Sequence, residues 1–215
     1  MLSLIQHEVM FYFKNKQEAI YIYSFFISIF LLSPFTLTSG SIELQSLAPI
    51  SLWIALATGV ALGGQGLFTR EHRDGRLEYL QLLPTGLEWL VLAKWLVFYG
   101  FLLVPLLLSL PVAGLLFQLS LPTLLRDAIG LSAGLAALSA LVALVGAVTS
   151  GMEKAGAILS LISVPISVPI LIFGAAYCRD GSSLWQPNLM FLLGLTLLLL
   201  PAMCIAGAYS IRAGN

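Results

Sequence analysis

The side chains able to do chemistry are few and scattered. In 215 residues there are two histidines, two cysteines, ten Lys+Arg and ten Asp+Glu. His7 and His72 lie far apart, and no His-Glu-x-x-His run pairs zinc ligands with a general base. No Gly-x-Ser-x-Gly elbow presents a nucleophile, and no Gly-x-x-x-x-Gly-Lys-Ser/Thr loop could cradle nucleotide phosphates. The expectation is a chain with no catalytic residue, no metal site and no cofactor of its own. Cys178 ends one apolar run whereas Cys204 lies inside the next, so the two sit at different membrane depths and are expected to be free thiols.

What polar chemistry there is concentrates in one place. Six of the twenty charged side chains fall in "REHRDGRLEYLQLLP", residues 70–84. Charges alternate in sign up to Asp74, and Gly75 permits a sharp turn. Leu77, Leu80 and Leu83 then recur at three-residue spacing beside Glu78 and Tyr79, before Pro84 ends the pattern. This predicts a short amphipathic helix on a charged collar. Two readings fit it: a docking element whose apolar knobs enter a groove on a cytoplasmic partner, or a solvated connector whose basic residues fix topology.

The elements around this island are apolar. With 59% hydrophobic and 9% charged residues and a mean hydropathy of +0.99, the chain belongs in a bilayer. A formal charge of zero gives no basic surface for nucleic acid. Runs long enough to cross ~30 Å of hydrocarbon occur at about 19–38, 49–68, 89–117, 128–149, 155–178 and 189–209. The fold class expected is therefore all-α, with six transmembrane helices in a single transmembrane domain over 1–215. The first run is too long for the core of a cleaved signal peptide and is expected to stay as an anchor. Before it, Leu2, Ile5, Val9, Tyr12 and Phe13 share an arc at helical spacing, predicting an N-terminal amphipathic surface helix.

Counting basic residues on alternate sides puts Lys14, Lys16, Arg70, Arg73, Arg76, Lys94, Lys154 and Arg212 together, against Arg126 and Arg179. That asymmetry places both termini and the island in the cytoplasm. Trp53, Trp89, Trp95 and Trp185 fall near span ends, as anchors in an aromatic belt do. No Asp, Glu, His or Arg is expected in the middle of a span, and Lys94 is expected to snorkel outward from its helix end. A carrier driven by protons or sodium is disfavoured, and any work across the membrane must be powered by another subunit. Pro165 and Pro169 share a face of the fifth span and free the carbonyls of Leu161 and Pro165. Ser160, Ser163 and Ser167 lie near enough to cover some of these, so a kink serving packing or gating is predicted. Gly59, Gly63 and Gly66 offer a close-packing stripe, to a second copy or within the chain.

"LFTREHRDGRLEYLQLLP", then "LVLAKW", then "GMEKAGAILSLISVPISVPILIFG" closely resemble the haem exporter protein B (CcmB) family of bacterial cytochrome c maturation. Asp74, Gly75, Leu77, Glu78, Leu83 and Pro84 match its cytoplasmic signature, Leu92-Ala93-Lys94 its third helix, and Pro165, Pro169 and Ile172-Phe173 its fifth. The resemblance implies an ABC transporter permease of the bacterial inner membrane, in which Asp74, Gly75, Leu77, Glu78, Tyr79, Leu80, Leu83 and Pro84 form a coupling helix between spans two and three. It implies as partners a CcmA-like ATPase that binds ATP-Mg, a CcmC-like haem protein, a CcmD-like small membrane protein and a CcmE-like haem chaperone, with haem as cargo and two copies of this chain. The complex would move haem or release the haem-loaded chaperone; a non-transporting scaffold for the same assembly is the alternative. Three departures from the family pattern stand out. Gly134-Leu135-Ala136 replaces a Gly-Thr-Pro, and Glu153-Lys154 replaces a Lys-Arg pair. Phe98-Tyr99 replaces a His-Trp, leaving no candidate for axial haem ligation in this subunit.

Overall fold

A computed structural model describes residues 20, 23, 24, 27–29, 31, 32, 44–65, 67, 68, 86–149, 152, 155–179 and 185–213. Among these, all regular structure is helical. Five helices follow in order: α1 (Leu44–Gly64), α2 (Leu87–Phe117), α3 (Leu121–Thr149), α4 (Ala155–Arg179) and α5 (Pro187–Ala213). All five are long and apolar enough to cross a membrane, and they correspond to expected spans two to six. The described residues within 19–38 are helical too, and one of them, Tyr23, stacks on Phe101 of α2 at 5.4 Å and donates its hydroxyl to the Phe101 carbonyl at 3.2 Å. The N-terminal surface helix and the island lie outside the described residues.

Two span boundaries differ from the sequence expectation for local reasons. α1 starts at Leu44 and stops at Gly64, where the Gly63-Gly64 pair lets the chain turn and the Leu67 amide bonds the Gly64 carbonyl at 3.2 Å. α3 starts at Leu121 rather than 128. The Leu124 amide bonds the Ser120 carbonyl at 3.0 Å, the Ser120 and Thr123 hydroxyls meet at 2.8 Å, and Pro122 occupies a first-turn position where its missing N–H costs nothing. Arg126 and Asp127 therefore belong to the helix.

α2 ends in a tight cap. Gln118 takes the left-handed conformation at φ 53°, and the Leu119 amide returns to the Gly114 carbonyl at 3.1 Å. A side chain is strained at such a φ. Gln118→Gly is expected to raise resistance to unfolding in denaturing detergent by up to about 1 kcal/mol, glycine's larger unfolded-state entropy offsetting part of the relief.

The centre of the bundle is α3. It packs on each of the other four helices, and 17 of its 29 residues are buried against 7 of 25 in α4. Its sequence explains this: Gly130, Gly134, Gly146 and a run of alanines leave room for side chains of the neighbouring helices to pack closely. Between lipid-like surfaces close packing, not removal from water, provides the attraction. At one end α1 crosses α3 so closely that a Cβ on Gly64 would overlap Val142, while Gly207 of α5 sits against Ala147 and Val91. Gly59 is also buried, so the stripe offered at Gly59 and Gly63 is at least partly used within the chain.

Candidate functional site

The island lies outside the described residues, and both of its roots are described. On one side Leu67 and Phe68 are buried, and Phe68 packs by Gly146 of α3. On the other, Gly86 precedes α2 and its carbonyl accepts the Trp89 amide at 3.0 Å. Glu88 faces Arg212 of α5 at 3.4 Å, with both side chains well exposed, so this pair contributes little. The Lys94 ammonium lies 5.7 Å from the centre of the Phe68 ring.

Lys94 corrects an expectation. It does not snorkel outward: it is 2% exposed, covered from the side by Phe68, because α2 begins at Leu87 and carries Lys94 two turns inward. Loop root and buried cation thus form one packed unit at the island end of the bundle.

The opposite end holds a polar cluster that the sequence reading missed. Asp127 is 1% exposed, and its Oδ1 accepts from the Arg126 guanidinium at 3.3 Å. The same guanidinium donates to the Cys178 carbonyl at 2.7 Å, tying α3 to the last turn of α4. The Trp53 indole N–H of α1 points at the Cys178 sulfur at 3.5 Å. Asp127 Oδ2 has no hydrogen-bond partner. Beneath the cluster, the Trp53 ring fills a slot between Gly134 and Gly174, either of which would overlap it if given a Cβ, and Gly130 lies flat against Tyr177. Trp53 is 3% exposed and is an interior knob, not an interfacial anchor. Trp95 likewise turns its N–H inward, to the Ser139 hydroxyl at 3.0 Å, whereas Trp89 and Trp185 are exposed. The Gly130-x-x-x-Gly134 spacing was the available signal for this slot.

Pro165 and Pro169 both lie on the exposed side of α4, as a shared face requires. The serines do not cover the carbonyls the prolines free. Ser160 donates to the Gly156 carbonyl at 3.1 Å and Ser167 to that of Val164 at 2.7 Å, while the buried Ser163 hydroxyl has no partner. A helical serine reaches back three or four residues, and from 160 and 167 that reach misses Leu161 and Pro165. Pro165 and Pro169 belong to α4, whereas Asp74 to Pro84, expected to form the coupling helix, lie outside the described residues.

Phe98 is fully buried and Tyr99 stacks on Trp95 at 5.7 Å, so this pair is used in aromatic packing. Cys178 and Cys204 are both free thiols. Among the described residues no group of three or more His, Cys, Asp or Glu side chains could hold a metal.

The chain matches the family described as CcmB protein over residues 1–214. It is 36% identical over 191 residues to heme exporter protein B of Paracoccus denitrificans, covering 88% of each chain. It is similarly 32% identical to heme exporter protein B of Pseudomonas aeruginosa, covering 95% of this chain and 94% of that one. To heme exporter protein B of Escherichia coli it is 30% identical over 76% of this chain and 74% of the other. A match along the whole length, joined to five apolar membrane-length helices, makes this multi-pass membrane protein a member of the CcmB family.

Proposed function

We propose that the chain is the membrane subunit of an ATP-driven complex for haem export or haem delivery in c-type cytochrome biogenesis. The observation that carries this is the end-to-end similarity to proteins named heme exporter protein B. Because the sequence has no nucleotide-binding loop of its own, ATP-Mg belongs to a CcmA-like ATPase. Residues 70–84 are the coupling element on which that ATPase acts. Their roots favour this role over a loose connector. Leu67 is buried, Phe68 is seated against α3 and Gly86 leads into α2, so a push on the island is delivered to packed helices. CcmC-like, CcmD-like and CcmE-like proteins are the further partners, and haem is cargo rather than a resident group. ATPases of this class have two sites and need two membrane halves, of which this chain supplies one. The native mass of the complex distinguishes a second copy from another membrane subunit in that place.

Purification with the ATPase tests the reading. ATPase activity that changes when the island is mutated supports coupling, whereas co-purification with unchanged activity points to a scaffold. Topology provides a separate check in the bacterial inner membrane. With both termini and the island cytoplasmic, a cysteine replacing Asp74 is expected to resist an impermeant thiol reagent added to intact spheroplasts and to react once the membrane is opened. Labelling from outside would reverse the orientation and remove the ATPase from reach of the island.

A further inference from the structure

Both ends of α4 touch the bundle, but among the described residues only the last turns are tied to it by a charged side chain. Its last turns are built into the bundle: Gly174, Tyr177 and Cys178 are buried. Arg126 ties the Cys178 carbonyl to α3, Trp53 reaches the Cys178 sulfur from α1, and Gly130 receives the Tyr177 ring. Asp127, held at 3.3 Å, orients that guanidinium on the same helix. In the preceding stretch Leu159 and Ser163 are buried and the side-chain amide of Gln65, just past the end of α1, donates to the Ser160 hydroxyl at 3.4 Å, but the rest of it has few ties. Leu161, Val164, Ile166 and Ile172 are exposed. Pro165 and Pro169 each remove a backbone hydrogen bond, and the Ser160 and Ser167 hydroxyls bond elsewhere.

We propose that Arg126 and Asp127 form a clasp that fixes the C-terminal turn of α4 as a pivot, about which the proline-broken segment before Ile170 bends. The physical basis is a contrast in local opening. Segments with few buried contacts and missing backbone bonds open at low cost, whereas a turn pinned by a charge-assisted bond and three packed rings and glycines opens with the bundle. Kinks in membrane helices are commonly placed by proline, but proline alone does not say which half moves. Here the clasp decides it, making the half that begins at Ala155 the mobile arm. The inference concerns this chain alone and does not depend on ATP coupling.

Hydrogen exchange of the full-length protein in detergent micelles tests it. In the unmodified chain, amides in 157–168 are expected to exchange at least tenfold faster than those in 174–179. R126Q is expected to speed 174–179 at least tenfold and leave 131–147 unchanged, which a general loss of stability would not do. Pro165→Ala with Pro169→Ala, both at exposed positions, restores the two backbone bonds and is expected to slow 157–168 at least tenfold without altering 174–179. If R126Q fails to insert, R126K, which can reach the carbonyl or the carboxylate but not both, is expected to give a smaller rise at 174–179 alone. Equal protection of the two segments in the unmodified chain, uniform loosening of α3 and α4, or no change at 174–179 overturns the proposal.

Discussion

Leu80→Asp is expected to leave the chain in the membrane at normal amounts while reducing ATP-dependent maturation of c-type cytochromes to background. Leu80 lies outside every apolar span, so insertion has no reason to change. On a docked coupling helix, Leu77, Leu80 and Leu83 fill an apolar groove, and truncating any one costs about 1–3 kcal/mol of docking. An aspartate there does worse, because a charge is then buried without a partner. Glu78→Lys is expected to act similarly by replacing an attractive contact with like charges, and the loss should be steeper at low salt. ATPase binding should fall in both variants. Near-normal cytochrome c, with insertion verified, would mean that residues 70–84 are a solvated connector and that power reaches the membrane by another route.

The second large effect lies in the Trp53 slot and concerns stability. Gly134→Leu drives a side chain into the space of the indole, and with Gly174 closing the opposite side the ring has nowhere to move. A cost of about 3 kcal/mol or more is expected, at the upper end for overpacking. Trp53→Ala should cost about 3–5 kcal/mol by leaving a cavity where α1, α3 and α4 meet. These two losses are not independent. The double variant puts a leucine into the vacated volume and is expected to be more stable than either single one, a coupling that unfolding in denaturing detergent would measure. Additive losses would show that the glycines serve something other than accommodation of the indole.

The sequence placed the apolar interiors of spans two to six well, since a run of some twenty apolar residues has few alternatives to a membrane helix. Ends were less legible. Charge at Arg126-Asp127 reads as loop, yet Ser120, Pro122 and Thr123 start the helix before it, and the carboxylate is tolerated inside because the guanidinium of the preceding residue meets it. Lys94 and Trp53 were misplaced for one shared reason. Distance from a span end tells how deep a side chain sits but not which way it faces, and both face the bundle. The clasp joins α3 to a backbone carbonyl of α4, and carbonyls carry no residue type for a sequence to display. Pro165 and Pro169 were read correctly as one face, but the serines near them were assigned carbonyls they do not reach.

The central position of α3 bears on how the protein is made. Both α1 and α2 make their most extensive contacts with α3, which follows them in the chain. A ribosome adding about 5–20 residues per second therefore leaves the earlier helices in the bilayer for several seconds without their main packing partner. During that interval Lys94 and the Trp53 indole have no completed pocket, and only lipid or the insertion machinery can shield them. A chain arrested before Thr149 should accordingly be a substrate for membrane proteases, and one arrested just after it should survive longer despite lacking two helices.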